Sequence, residues 1–417
     1  MHILMLAQFY PPIIGGEERH VRNLSIDLVR RGHEVSVATL WYPGAEAEDV
    51  DCGVRIHRLR GTMQRFSGLF QEGERRHAPP FPDPELLYGL HQIITREKPD
   101  IVHAHNWLLH SYVPLRRWSR APLVVTLHDF SLVCARKTSM RNGALCSGPA
   151  LVECLVCAKQ HYGTVKGGVT TVANWMSSAI EKRAVDAFIA VSRAVATGNN
   201  LAKLGVPSQV IPNFVPNDVA ALAAEPQVFV QELPPNYILF VGDLNRNKGV
   251  PTLLKAYASL ENAPPLVLIG RHSPDLPEAL PPGVLTLKSW PHDAIMHAWS
   301  RCLFGVAPSI WADPCPTVVM EAMASGKAVI ATTIGGSPDL VDHGITGLLT
   351  PPGDVEALAA AMKRLIEDPE LRQSMASAGL QKVETLKANA IIPRILQLYE
   401  RVLSPQTELV APEVRHA

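Results

Sequence analysis

Two carboxylates eight residues apart, Asp313 and Glu321, flank what reads as the start of a helix. They sit in the run Pro308-Ser309-Ile310-Trp311-Ala312-Asp313-Pro314-Cys315-Pro316-Thr317-Val318-Val319-Met320-Glu321, which follows a strand-like segment. Pro316 suits the first helical position, where a missing N–H costs nothing. The N–H groups of Thr317, Val318 and Val319 would then point outward from the positive end of the helix, which makes an anion site. Cys315, Thr317 and Val318 are thus candidate ligand contacts, with one carboxylate at the helix mouth and the other on its flank. The plainer reading makes Asp313 a helix cap and Glu321 a surface residue.

Other residues suit a phosphate in the same way. Gly15-Gly16 follow the first apolar run and open a helix, so backbone without Cβ can approach a ligand there. Arg246 and Lys248, in Gly242-Asp243-Leu244-Asn245-Arg246-Asn247-Lys248-Gly249, could neutralise a diphosphate, one as a fork and one as a point charge. The alternatives are a tight turn and a solvated loop. No G-x-G-x-x-G occurs at the first strand–helix turn, Gly326-Lys327 does not complete a P-loop, and no H-E-x-x-H is present. Cys134, Cys146, Cys154 and Cys157 have the spacing C-x11-C-x7-C-x2-C directly after His128-Asp129. Four thiolates could hold a structural zinc, and four buried free thiols are the alternative.

These residues need a scaffold, and the composition bounds it. The chain has 417 residues, 47% hydrophobic and 19% charged, a length that predicts two domains and a composition that excludes a disordered chain. Thirty-nine basic residues balance thirty-nine acidic ones, so nothing marks a nucleic-acid binder. Residues 1–219 hold 24 Lys+Arg against 19 Asp+Glu, and residues 220–417 hold 15 against 20, a mild +5/−5 asymmetry. No apolar run is long enough to span a membrane, and His2–Ala7 reads as a buried strand rather than a signal peptide. Seven cysteines do not make a secreted disulfide framework, so the expectation is a cytoplasmic protein. Oligomeric state is not legible.

Strand-like runs at 3–7, 34–40, 100–104, 122–127, 186–191 and 208–212 alternate with helical segments, as in parallel sheets. The pattern restarts after a proline-rich stretch with runs at 237–241, 266–269, 302–306, 327–332 and 347–350. This predicts an α/β chain of two Rossmann-like domains, 1–213 and 237–390, joined by a linker at 214–236. A last helix at 391–403 has no strand to cross to. Two such domains place a cleft at the carboxyl ends of both sheets.

With these residues assembled, the chain resembles the retaining glycosyltransferases of the GT-B fold, family 4. The run around Asp313 and Glu321 is similar to that family's Glu-x7-Glu signature. Tyr10-Pro11-Pro12-Ile13-Ile14-Gly15-Gly16, Arg31-Gly32-His33-Glu34-Val35, Asp100-Ile101-Val102-His103-Ala104-His105, Lys248-Gly249 and Gly335-Gly336-Ser337-Pro338-Asp339 match it in order across both domains. The resemblance implies transfer of a hexosyl unit from a nucleotide diphosphate sugar, UDP before GDP, to a hydroxyl acceptor, without a catalytic divalent metal. It implies that Gly15-Gly16, Arg246 and Lys248 hold the diphosphate, Asp313 contacts the donor sugar, Glu321 binds the ribose, and His105 lies near the acceptor. The last helix would return to the first domain. Three residues depart from the family: Asp313 replaces Glu, Pro316 stands where Gly is frequent, and Asp243 stands where Arg is usual. A nucleotide-sugar epimerase of the same fold and a catalytically weakened binding protein are the rival readings. Arg55, Arg58, Arg60, Arg65, Arg75 and Arg76, with Phe66, Leu69 and Phe70, suggest either a weak peripheral membrane contact or a solvated acceptor loop. Acceptor contacts are expected in residues 60–85 and 130–175.

Overall fold

The computed structural model describes residues 1–13, 15–66, 76–224, 233–288 and 290–404. Leu69, Phe70 and Arg75 of the arginine-rich segment lie outside the described residues. The first half builds β1 (His2–Leu6), α1 (Gly16–Arg30), β2 (Glu34–Leu40), β3 (Glu48–Asp51), β4 (Val54–Leu59), α2 (Pro84–Glu97), β5 (Ile101–Ala104), α3 (Leu109–Tyr112) and β6 (Leu123–Leu127). A small hairpin, β7 (Met140–Arg141) and β8 (Ala144–Leu145), precedes two helices, α4 (Leu151–Tyr162) and α5 (Thr164–Ala184). Then come β9 (Ala187–Ala190), α6 (Arg193–Gly198) and β10 (Ser208–Val210). The sheet order is β10-β9-β6-β5-β1-β2-β4-β3, parallel except for β3. Strands β1, β5, β6 and β9 are buried along nearly their whole length, as a sheet covered on both faces requires.

The second half holds β11 (Ile238–Val241), α7 (Val250–Ala258), β12 (Leu266–Ile269), β13 (Val284–Leu287), α8 (His292–Arg301), β14 (Phe304–Ala307) and α9 (Thr317–Ala324). It continues with β15 (Val329–Thr332), α10 (Ser337–Leu340), β16 (Gly347–Thr350), α11 (Val355–Glu367), α12 (Pro369–Glu384) and α13 (Ala388–Leu403). Its six strands are all parallel, in the order β13-β12-β11-β14-β15-β16. The fold is therefore α/β with two Rossmann-like sheets. Among the described residues no helix is long and apolar enough to cross a membrane.

Three segments differ from the sequence expectation. Val54–Leu59 is a strand rather than loop: Val54, Ile56, His57 and Arg58 are buried, and Cys52-Gly53, both at positive φ, turn β3 back along it. Residues 151–175, the latter part of the 130–175 stretch expected as acceptor loop, belong to a helical hairpin of α4 and α5. Gly167 lets α5 press on α4, since a Cβ there would meet the Ala158 carbonyl oxygen at 2.5 Å. In the segment after 213, Val215 and Val219 are buried, and Val215 bridges to Lys387.

That bridge marks where the chain crosses back. Ile391, Ile392, Ile395, Leu398 and Tyr399 of α13 share a core with Ile3 and Met5 of β1 and Ile101 of β5. The Tyr399 hydroxyl meets His103 Nδ1 at 2.6 Å, which satisfies two buried polar groups at once. Cutting Ile395 to Ala leaves a cavity beside β1, so it should cost about 2–5 kcal/mol in urea unfolding. A loss of less than about 0.5 kcal/mol, the scale of a surface substitution, would show that α13 is not part of that core.

Candidate functional site

The carboxyl end of β14 leads through residues 308–316 into α9, and glycines fix that path. A Cβ on Gly335, at φ +64°, would sit 2.3 Å from the Asp313 carbonyl oxygen, and one on Gly336 2.1 Å from that of Pro314. Gly336 N–H donates to the Asp313 carbonyl at 2.8 Å. From the other side, Gly249 packs against Pro308, and Ile310 N–H donates to Asn247. Three loops are thereby locked together around Asp313.

Pro316 precedes the helix in extended backbone instead of occupying its first position. The cap site also lacks need of an N–H, so the ring fits there equally well. Val319 N–H bonds to the Pro316 carbonyl at 3.1 Å. The amides of Thr317 and Val318 have no hydrogen-bond partner among the described residues, and both residues line the cleft with Cys315 and Pro316.

Both carboxylates are buried rather than surface groups, Asp313 at 7% and Glu321 at 3% exposure. Each has a cation. Lys248 Nζ meets Asp313 Oδ2 at 2.5 Å. Glu321 Oε1 accepts from His292 at 3.0 Å and from Arg19 of α1, in the other domain, at 3.2 Å. Burial alone would raise the Glu321 pKa, but His292 and Arg19 bring it below the usual carboxylate value. Gly15 and Gly16 face them across a cavity of about 430 Å³.

Arg246 does not join this group. Its side chain is exposed and only its backbone is engaged, the N–H donating to Asp275 at 2.9 Å and the carbonyl accepting from Gly249 N–H at 2.9 Å. The guanidinium at the cleft mouth comes from Arg271 instead, paired with Asp243 through contacts of 3.0 and 2.9 Å. Asp243 thus stands opposite an arginine that its own position lacks. Arg19, Arg271 and His292 went unnoticed in the sequence. The signal for Arg19 was present, since it stands one turn after Gly15-Gly16 on a helix that begins at the cleft.

His105 lies behind the cleft wall at 3% exposure, and His128 of the β6 end lines the wall. Their rings are joined by a hydrogen bond of 3.1 Å, and His20 packs on His128. His20, His105 and His128 form the one set among the described residues whose three ligand atoms lie within 4.8 Å, so neutral imidazoles there have metal-ligand chemistry. Burial pushes the pKa of His20 down to about 4 and of His103 and His110 to about 3, with His105 and His128 well below the ordinary value. Burial and the neighbouring Glu18 push the pKa of Glu17 at the cleft up to about 8, which favours its protonated, neutral form.

The four loop cysteines are neighbours but do not close into a metal sphere. All are free and half-buried. Arg136 donates to Cys157 at 3.2 Å, and Cys146 is turned to the Gly148 carbonyl at 3.5 Å. No three of the sulfurs lie within 4.8 Å of one another. A tetrahedral zinc with Zn–S of about 2.3 Å holds its sulfurs about 3.8 Å apart. The arginine cluster is likewise not one surface. Arg58 is buried against Asp49, Arg55 bonds to Glu34, and Arg60 stacks on Trp41.

The same cleft is reached from known proteins. The sequence profile for "Glycosyltransferase Family 4" matches residues 14–219, and that for "Glycosyl transferases group 1" matches residues 224–382. The chain belongs to the family 4 glycosyltransferases of the GT-B fold. A glycogen synthase of Mycobacterium tuberculosis is 26% identical, over 92% of this chain and 90% of that one. A D-inositol 3-phosphate glycosyltransferase of Corynebacterium glutamicum is 24% identical over 100% and 98%. Among solved structures, the sucrose-phosphate synthase of Thermosynechococcus elongatus superposes with a TM-score of 0.73 at 20% identity, covering 96% and 98%. Anabaena HepE in complex with UDP-glucose gives 0.68 at 18%, covering 96% and 100%. This glycosyltransferase therefore places its buried acids and free helix amides in the cleft between two GT-B domains.

The neutral histidines make a pH prediction. Between pH 6.5 and 5 the unfolded chain protonates five rings (His20, His103, His105, His110, His128) that the fold keeps neutral. Acting the other way, the fold holds protons on two carboxyls, Glu17 and Glu181, both pushed up to about 8, that the unfolded chain has released. The unfolded state binds more protons on balance, so stability should fall as pH drops through that window. Urea midpoints that stay level or rise from pH 6.5 to 5 would contradict neutral rings.

Proposed function

We propose that this glycosyltransferase moves a hexosyl unit from a UDP-sugar to a hydroxyl acceptor with retention at the anomeric carbon. The observation that carries the reading is the pair of buried carboxylates, Asp313 and Glu321, on either side of the free amides of Thr317 and Val318. A diphosphate at the helix mouth meets those amides, Lys248 and the backbone of Gly15-Gly16. Glu321, two turns along, takes the ribose hydroxyls, and Asp313 takes the hydroxyls of the sugar. HepE, a relative in fold, has been solved with UDP and with UDP-glucose, which supports a uridine donor.

In the proposed step the bond from the sugar C1 to the diphosphate oxygen breaks. The acceptor oxygen bonds to C1 from the same face, and its proton passes to the departing phosphate oxygen. The negative charge that grows on the leaving group is met by amides already aimed at it, by Lys248 and by the helix dipole, with no divalent metal required. His128, at the cleft wall, is placed to contact the sugar or the acceptor, with His105 supporting its ring from behind.

Thermal unfolding in the presence of UDP, GDP, ADP and dTDP tests the donor site. A ligand at one hundred times its dissociation constant adds about 2.7 kcal/mol. UDP should stabilise the chain most. Glu321→Ala should weaken nucleotide binding at least tenfold, whereas Asp313→Ala should leave UDP binding nearly intact and lower kcat. Unchanged binding and turnover in both variants would contradict the assignment.

A further inference from the structure

Three imidazoles from three separate elements meet at the first-domain wall of the cleft. His20 comes from α1, His105 follows β5 and His128 follows β6. The sheet fixes two of them, because β5 and β6 are neighbours and each histidine is the first residue past its strand. His105 N–H is further tied to the Leu6 carbonyl of β1 at 3.0 Å. The His20 ring is packed on Phe214, 5.0 Å from centre to centre. The set is therefore held in place by the fold rather than by flexible loops.

As protein alone, the set is under-satisfied. A neutral imidazole has one N–H and one lone pair. A single hydrogen bond, between His105 Nδ1 and His128 Nε2 at 3.1 Å, joins two of the three rings. His20 Nδ1 and His105 Nε2 are both buried without a partner. Two such nitrogens in one cluster run against the rule that buried polar atoms are paired.

The spacing is that of ligands around one ion. A tetrahedral zinc at about 2.0–2.1 Å from each nitrogen sets those nitrogens about 3.3 Å apart and the ring centres about 5.2 Å apart. The His105 and His128 nitrogens are 3.1 Å apart and their ring centres 5.3 Å, and the centres of His20 and His128 are 5.1 Å apart. His20 and His105 are wider, at 6.1 Å, so one ring closes by about 1 Å on binding. Three imidazoles with an open fourth position are a zinc set, whereas magnesium and calcium take oxygen ligands. A dication among neutral rings also needs counter-charge. Glu17, one turn before His20 and lining the same cleft as His128, and Asp129, the residue after His128, bring carboxyls to that wall.

We infer that His20, His105 and His128 form a binding site for a zinc-class divalent cation, its fourth position taken by water or by an oxygen from the cleft that His128 lines. The site uses no part of the donor reading, in which transfer needs no metal. It competes with one part of that reading, because a His128 ring turned onto a metal is withdrawn from the sugar and the acceptor. Metal binding and sugar contact are alternative uses of the same side chain.

The test is calorimetric titration of the full chain, first stripped with chelator, with zinc chloride, in parallel with His20→Gln and Cys154→Ser. Urea unfolding checks that each variant is folded, and cobalt(II) replaces zinc for visible spectroscopy. One zinc per chain should bind to the histidines, at least tenfold more weakly in His20→Gln and with unchanged affinity in Cys154→Ser. Cobalt at that site should give the intense visible bands of a tetrahedral ion without thiolate-to-metal charge transfer. A folded chain that binds no zinc overturns the proposal. So does zinc affinity that is the same in folded His20→Gln as in the unaltered chain, or that only Cys154→Ser removes, since the metal then sits elsewhere. The cobalt spectrum of the unaltered chain decides the point even if His20→Gln fails to fold: a spectrum with thiolate charge transfer alone, or with only the weak bands of an octahedral ion, overturns the three-histidine site.

Discussion

A charged carboxylate taken out of water must have a partner, and this cleft buries two within one stretch of chain. Basic side chains reach Asp313 and Glu321 from three different elements: Lys248 from the loop after β11, His292 from α8 and Arg19 from α1, and the last two hold the Glu321 carboxyl below its usual value despite burial. Each side chain must arrive at a set position, so the loops that carry them are close-packed and rich in glycine. The approach of Gly249 to Pro308 and of Gly335-Gly336 to Asp313-Pro314 leaves no room for a Cβ. The site is therefore a property of how the loops pack, and the two sheets beneath exist to hold those loops in register.

One of these cations crosses between domains. Arg19 and Glu321 are 302 residues apart, and their contact at 3.2 Å joins the first helix of one domain to the functional helix of the other. Under the proposed function, donor binding would set the ribose against the same carboxylate, so that Glu321 would change partner and the Arg19 guanidinium, in the first turn of α1, would be released toward the diphosphate. The energetic logic is exchange of one charge-assisted contact for another, so that the buried acid is never left alone and donor binding does not carry the full cost of desolvating it.

Much of the architecture was legible in the sequence because parallel strands buried on both faces read as continuous apolar runs. β1, β5, β6, β12 and β14 are of that kind. β4 was not, because Arg55 and Arg58 interrupt its apolar residues, and only the fold shows that Arg58 is buried against Asp49. α5 escaped for the opposite reason. Val165, Val169, Met176 and Ile180 are exposed, so its apolar spacing does not mark a core face, and two glycines weaken its helical signal. In the site, Asp313, Glu321 and the free amides followed from one segment read by itself. Arg19, Arg271 and His292 did not, because their roles come from contacts with residues far away in the chain. His105 followed from its motif, whereas His128 was given no role for a related reason: each follows a buried strand, and only the fold shows that the His128 ring lines the cleft.

The most direct measurement is a crystal structure with UDP bound. The diphosphate should lie against the amides of Thr317 and Val318 and Lys248, with Glu321 on the ribose hydroxyls and no longer on Arg19. A nucleotide bound elsewhere, or bound in the cleft while Glu321 keeps its contact with Arg19, would contradict a donor-binding role for the two buried acids.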